Sequence, residues 1–256
     1  MVGMESVDAA IELLRPARRI VVFTGAGVST DSGIPDFRSP GGIWTRYDPR
    51  RLSFRNYVRD PEIRHEAWRL RRELHNMVVA PNPAHLACAR LAEAGLLAWL
   101  VTQNIDGLHG DAGVGPELLV EVHGTGRDSK CLACGDRRPM GEAVARVEAG
   151  EPDPPCLACG GIIKAATVSF GQGIPPEVWA RAEAATEACD AFVAVGSSLV
   201  VQPAAGLPVR AAQRGVPLVI VNREPTPLDP LADVVCLGEA GDILPALADA
   251  LVPADR

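Results

Sequence analysis

His123 closes an apolar run at residues 118–122 and is followed by Gly124. Imidazole is the side chain whose ordinary pKa suits proton transfer near neutral pH. A second apolar run, 96–102, ends in Thr102-Gln103-Asn104-Ile105-Asp106-Gly107. A histidine beside glycine and across from Asn104 and Asp106 is a candidate base. A third run, 19–23, ends in Thr24 and then Gly25-Ala26-Gly27-Val28-Ser29. This is half of a dinucleotide fingerprint: glycines permit a tight turn and close approach to a pyrophosphate, and a following helix would offer N–H groups. Thr30 stands where the third glycine of G-x-G-x-x-G is expected, and no second strand ending in Asp or Glu follows. The turn therefore points to a nucleotide, with a plain strand-to-helix turn as the competing reading. Residues 29–44, STDSGIPDFRSPGGIW, hold too many glycines and prolines for a long helix. As a lid, this loop would face Arg38 toward phosphates and shield a reactive centre with Phe37.

Four of the seven cysteines form two tight pairs, Cys131/Cys134 and Cys156/Cys159, separated by 21 residues and each followed by glycine. A C-x2-C knuckle sets two thiolates on one turn, and two facing knuckles make a tetrahedral S4 site. Four protein ligands leave no open position, so a zinc held there is structural. A redox dithiol and accidental clustering compete with this reading. Cys88, Cys189 and Cys236 lie in apolar, Ala-rich surroundings that suit small buried thiols.

The elements that must position these groups read as an alternation. Strands are expected at 19–23, 96–102, 118–122, 191–195, 217–221 and 234–237. Helices are expected at 7–17, 83–95, about 177–188, 203–214 and 240–251. Such alternation implies βαβ crossovers and a mostly parallel sheet covered on both faces. In open sheets of that kind, ligands sit at the carboxyl ends of strands. Five strand ends then converge on one crevice: Gly25, Gln103, His123, Gly196-Ser197-Ser198 and Asn222. Two stretches break the alternation. Residues 39–79 are Arg-rich and helix-like, and 124–165 are turn-rich and hold the paired cysteines. The expected fold is α/β, a Rossmann-like doubly wound parallel sheet with a smaller zinc-ribbon plus helical lobe. Residues 1–38, 80–123 and 166–256 would form the larger unit, and 39–79 with 124–165 the smaller.

Composition removes several classes. The 256 residues carry 47% hydrophobic and 22% charged side chains, ordinary for a globular chain. The net charge is −7, the wrong sign for a general nucleic-acid binder. The 125–165 segment balances six basic against six acidic residues and offers no phosphate footprint. No apolar run approaches the ~20 residues that cross a bilayer. Glu5, Asp8 and Glu12 interrupt any signal-peptide pattern. A cytoplasmic chain with neither nucleic-acid nor membrane partners is expected. Only Lys130 and Lys164 are lysines, which reads as coding bias.

At these residues the chain resembles a sirtuin, an NAD-dependent protein-lysine deacylase. The matching motifs are GAGVSTDSGIPDFRSPGG (25–42), TQNIDGLH (102–109), VHG (122–124), both C-x2-C pairs, GSSL (196–199) and VN (221–222). The resemblance implies that Gly25, Ala26 and Gly27 cradle the NAD diphosphate. It places Ser29, Asp36, Phe37 and Arg38 in a cofactor loop. Gln103, Asn104, Ile105 and Asp106 would line the nicotinamide and ribose pocket, with Asn104 and Asp106 catalytic. His123 would be the general base. Gly196, Ser197, Ser198, Asn222 and Arg223 would contact the adenosine side. An acyl-lysine protein or peptide would lie along Val168, Ser169, Phe170 and Gly171. One structural Zn2+ would sit on Cys131, Cys134, Cys156 and Cys159. The implied products are nicotinamide and O-acyl-ADP-ribose. Protein mono-ADP-ribosylation from the same cleft is the alternative activity, and a non-catalytic NAD-sensing module the alternative class.

The chain departs from the family pattern at 164–172. Ala165 replaces proline, Ser169 an aromatic and Gln172 an acidic residue. Desuccinylating members use a Tyr-x-x-Arg pair, and the nearest match here is Trp68-Arg69-Leu70-Arg71. Residues 46–72 carry nine arginines against four acidic residues, which reads as a solvated helix face. Short, neutral acyl groups are therefore expected.

Overall fold

Successive side chains of a strand point to opposite faces, so a strand apolar at every position needs cover on both sides. The computed structural model describes residues 4–37 and 40–252. Its strands are β1 (Ile20–Thr24), β2 (Leu97–Thr102), β3 (Leu119–Glu121), β4 (Gly124–Cys131), β5 (Arg137–Pro139), β6 (Ile163–Thr167), β7 (Ala191–Val195), β8 (Leu218–Asn222) and β9 (Val234–Leu237). Its α-helices are α1 (Met4–Leu14), α2 (Phe54–Arg59), α3 (Pro61–His75), α4 (Pro83–Glu93), α5 (Leu108–Asp111), α6 (Met140–Glu148), α7 (Pro176–Ala188), α8 (Gly206–Gln213) and α9 (Ala240–Leu251).

Six strands form a parallel sheet in the order β3-β2-β1-β7-β8-β9. Ile20, Val22, Val193, Val195, Val219 and Val221 face one core with Leu14 of α1, Leu91 of α4 and Leu247 of α9. Val21, Phe23, Phe192, Ala194, Leu218 and Ile220 face the other with Ala182 of α7 and Leu207 of α8. Each fully buried large side chain contributes about 1.5–3 kcal/mol by leaving water. The fold is the expected doubly wound, Rossmann-like sheet. Its strand order reverses between β1 and β7, and the crevice opens at that switch point.

Several elements differ from expectation. The first helix ends at Leu14, short of 17, because Pro16 cannot donate to an i−4 carbonyl. The helix expected from 203 starts at Gly206. No α-helix follows β1; two 3-10 turns, Ala26–Val28 and Thr30–Ser32, stand in its place. The turn-rich 124–165 stretch holds most of a second, antiparallel sheet in the order β5-β4-β6, with α6 packed on it. β4 reads GTGRDSKC, polar and without regular alternation, so periodicity does not reveal it. α3 starts on Asp60, whose side chain accepts the Glu62 N–H, with Pro61 at the first helical position. Its Trp68, 2% exposed, packs with Cys131, Met140, Val144 and Ile163.

Candidate functional site

The carboxyl ends of β1 and β7 approach each other at backbone distance. Gly25 N–H donates to the Val195 carbonyl at 3.0 Å, and Gly27 N–H to the Gly196 carbonyl at 2.8 Å. A Cβ on Gly27 would stand 2.9 Å from Gly196 Cα, so the turn is built for residues without side chains. Gly196 holds φ +59, and a Cβ there would lie 2.5 Å from the Val28 nitrogen.

A cavity of about 950 Å³ opens over these ends. Gly25, Ala26, Gly27 and Ser29 line it from β1, and Gln103, Asn104, Ile105 and Asp106 from β2. Gly196, Ser197 and Ser198 border it beyond β7, and Asn222 and Arg223 beyond β8. His123, Val168, Ser169, Phe170 and Gly171 complete another wall, and Asp36 and Phe37 line it from the loop after β1. Arg38 falls outside the described residues. Arg223 ties that loop down: its guanidinium is 3.4 Å from Asp36 Oδ2 and 3.7 Å from Glu239 Oε1.

His123 follows β3 and precedes Gly124, whose φ of +71 and bare Cα let β4 start against the Ala166 carbonyl. Its Nδ1 lies 3.0 Å from the Gln103 carbonyl oxygen. A carbonyl only accepts, so Nδ1 carries the proton and Nε2 keeps a lone pair. Burial lowers the His123 pKa below its ordinary value, partly offset by that hydrogen bond. The ring is therefore neutral, and a base, at pH 7.

Asn104 Nδ2 donates to the Gly25 carbonyl and to Ser29 Oγ, both at 3.1 Å. Ser29 Oγ donates to Asp106 Oδ2 at 2.8 Å, and Leu108 N–H reaches Asp106 Oδ1 at 2.9 Å. Gln103 Nε2 donates to Ser197 Oγ at 2.9 Å, bridging two strand ends. Arg127 of β4 braces the same turn from outside: its Nε donates to the Asp106 carbonyl at 3.1 Å while its fork pairs with Asp111.

Behind this layer lie His109, the last residue of the TQNIDGLH motif, and His85, which no motif marks. The His85 and His109 rings meet with centroids 4.7 Å apart and planes tilted by 58°. His85 Nδ1 accepts the Asn82 N–H at 3.2 Å and its Nε2 stands 3.4 Å from Ser29 Oγ. His109 Nε2 lies 3.0 Å from Thr24 Oγ1, which donates to Thr102 Oγ1 at 2.8 Å. Burial pulls the His109 pKa down to about 3 and lowers that of His85. The Asn82-Pro83 pair signals a capped helix start and puts His85 three residues after the cap.

The arginine face is not wholly solvated. Arg71 lines the cavity and has no hydrogen-bond or ion-pair partner among the described residues. Burial pulls its pKa down to about 10. Trp68 Nε1 is buried and also without a partner. Lys164, 5% exposed, lines the cavity with a pKa lowered to about 8 by burial and then by Arg71 and Lys130.

The four paired cysteines come together through β4 and the turn before β6. All four Sγ atoms lie within 4.8 Å of one another, with Cys131–Cys159 at 3.5 Å and Cys134–Cys156 at 3.7 Å. A tetrahedron with Zn–S of about 2.3 Å has edges of about 3.8 Å, so the set fits one zinc. All seven cysteines are free of disulfides.

Comparison with known proteins bears on this arrangement. The Sir2 family profile matches residues 25–203. NAD-dependent protein deacetylase 2 of Streptomyces coelicolor is 51% identical over 231 residues, 89% of this chain and 95% of that protein. A Sir2 homolog solved with NAD is 35% identical, with TM-score 0.84 over 95% of this chain and 93% of that one. A Sir2 histidine-to-alanine variant solved with deacetylated p53 peptide and 3'-O-acetyl-ADP-ribose is 32% identical, with TM-score 0.87 over 95% of this chain and 97% of that one.

Proposed function

The chain belongs to the Sir2 family, and on that premise we infer that it is an NAD-dependent protein deacylase that removes acetyl groups from protein lysines. One observation carries the reading: a neutral imidazole with its Nε2 lone pair free shares a cavity with the glycine turn and with Asn104 and Asp106. When bound, NAD would supply an electrophilic ribose carbon, nicotinamide as leaving group, and a sugar hydroxyl, so that with one water consumed free lysine, nicotinamide and O-acyl-ADP-ribose are released.

In this reading His123 Nε2 takes the hydroxyl proton. Asp106, held by Ser29 and Leu108 N–H, positions the carboxamide, and Asn104 orders the ribose side. Gly25, Ala26 and Gly27 receive the diphosphate, as backbone donors at a tight turn can. Ser29, Asp36, Phe37 and Arg38 serve the cofactor loop. Gln103 and Ile105 border the nicotinamide pocket, and Gly196, Ser197, Ser198, Asn222 and Arg223 the adenosine. The substrate is an acyl-lysine protein or peptide lying along Val168, Ser169, Phe170 and Gly171. Excluding water matters here because an electron-poor carbon is open to hydrolysis. The zinc holds β4 and β6 in place and takes no chemical part. The division into a unit of 1–38, 80–123 and 166–256 and one of 39–79 and 124–165 belongs to this reading, with the cavity between them. So does a cytoplasmic location.

Incubation with an acetyl-lysine peptide and NAD tests the activity. Stoichiometric free peptide, nicotinamide and O-acetyl-ADP-ribose are expected. ADP-ribosylated protein without that product would replace deacylation with the alternative transfer.

A second reading extends the acyl range. Arg71 brings an unpaired cation into the cavity, and Trp68 a buried N–H without an acceptor. Together they suit the terminal carboxylate of an acidic acyl chain, as in the desuccinylating members. The expectation of neutral acyl groups alone assumed a solvated arginine face, which Arg71 does not share.

A further inference from the structure

The two lysines of this chain stand directly opposite each other on β4 and β6. Like charges placed so are unfavourable, and burying an unpaired cation adds to the cost. No carboxylate offsets it: among the described residues Lys164 is in no ion pair. Its ammonium donates instead to the carbonyl of Ala165 at 3.0 Å, to that of Thr167, and to Gln172 Oε1 at 3.4 Å. Three donors meet three oxygens, the full capacity of the group.

Gln172 uses the same oxygen twice. Its Oε1 also accepts the Ser169 N–H at 3.2 Å, while the Gln172 backbone N–H donates to the Ser169 carbonyl at 2.9 Å. The segment between is fixed at two other points: Val168 N–H donates to the His123 carbonyl at 2.7 Å, and the Phe170 carbonyl accepts Phe54 N–H at 2.9 Å. Lys164 and Gln172 thus fasten residues 165 and 172 to each other at the two ends of 168–171, along the same cavity wall. A glutamine here lets one neutral oxygen serve an ammonium and a backbone N–H together.

On the reading that 168–171 takes the acyl-lysine peptide, we propose that Lys164 and Gln172 form a clasp that sets this segment for the peptide, Lys164 acting as a positioning residue. Its three hydrogen bonds go to the Ala165 and Thr167 carbonyls and to Gln172, not to any residue assigned to the dinucleotide. Its loss therefore weakens peptide recognition and spares the dinucleotide.

Steady-state kinetics on the full chain test this, with an acetyl-lysine peptide and NAD each varied. Lys164→Met and Gln172→Leu are each expected to raise the peptide KM roughly tenfold, the worth of a lost hydrogen bond or two, with the NAD KM little changed. The double variant is expected to be no worse than either single, since one clasp cannot be broken twice. Lys164→Arg is expected to recover much of the loss. Unchanged peptide KM, equal rises in both KM values, or additive losses overturn the clasp. If Lys164→Met does not fold, Gln172→Leu and Lys164→Arg decide by the same criteria. Hydrogen exchange with and without peptide separates the underlying reading: no added protection at 168–171 overturns that reading and the clasp with it. Protection alongside unaltered kinetics in the variants removes the clasp alone.

Discussion

His123 and Gln103 belong to neighbouring strand ends, and the Nδ1–H of one meets the backbone carbonyl of the other at 3.0 Å. That contact fixes the tautomer and orients the ring, and among the described residues no carboxylate partners the imidazole. The ring stays neutral because burial disfavours its cation. His123→Ala should lower kcat by about 10²–10⁴ while circular dichroism and zinc content stay unchanged. In the parent enzyme activity should rise with pH through a midpoint below about 6.5, since the base works unprotonated and its pKa is lowered. A midpoint well above that, or near-normal turnover in the variant, removes His123 from the role.

Metal removal should act at a distance from the chemistry. The Cys131 and Cys156 thiols are buried with Trp68 and Ile163, so losing the ion loosens the small sheet from which β6 leads into 168–171. Elemental analysis should find about one zinc per chain, as a closed four-thiolate site requires. Cys131→Ser or chelation should abolish deacylation and leave the six-stranded sheet largely folded. A zinc-free protein at full activity would contradict the structural role.

The close approach at the switch point leaves no room at Gly27. A Cβ would meet the Gly196 carbonyl at 2.9 Å. Gly27→Ala should cost about 1–3 kcal/mol through overpacking, seen as a lower Tm, and calorimetry should show weakened NAD uptake. An unaffected Tm would mean that the turn can spread.

Arg71 should govern acyl choice. Arg71→Met should lower succinyl-lysine turnover by roughly 10–100-fold, the range of a charge-assisted hydrogen bond, and leave acetyl-lysine turnover nearly intact. Equal effects on both acyl groups would make Arg71 a packing residue.

His109 should make the fold acid-sensitive. Its pKa is about 3 when folded, against an ordinary 6.5. Between those values the unfolded chain binds a proton that the folded chain refuses. Stability is therefore whole above the upper value and falls with decreasing pH, by about 1.4 kcal/mol per unit for this one group. Urea midpoints from about pH 7 to 4 should decline less steeply in His109→Gln, which keeps a donor for Thr24. Parallel slopes in the two proteins would assign the acid sensitivity elsewhere.

What the sequence determined by itself was the frame and the chemistry. Apolar runs of β-branched residues flanked by Gly25, Gln103, Gly196 and Asn222 fix parallel strands and their functional ends, because burial on both faces demands such runs. The spacing of Cys131, Cys134, Cys156 and Cys159 fixes a metal site, because two knuckles can close a tetrahedron. The tertiary structure decided the rest. β4 has no periodicity, so only its pairing with β5 and β6 reveals it as a strand. His85 and His109 are ordinary helix residues until α4 and α5 bring their rings together behind Ser29. Arg71 and Lys164 read as two charges among many. Their burial and the company they keep depend on how α3 packs on the small lobe, with Trp68 in one core with Ile163 and Ala165, and a one-dimensional pattern does not carry that relation.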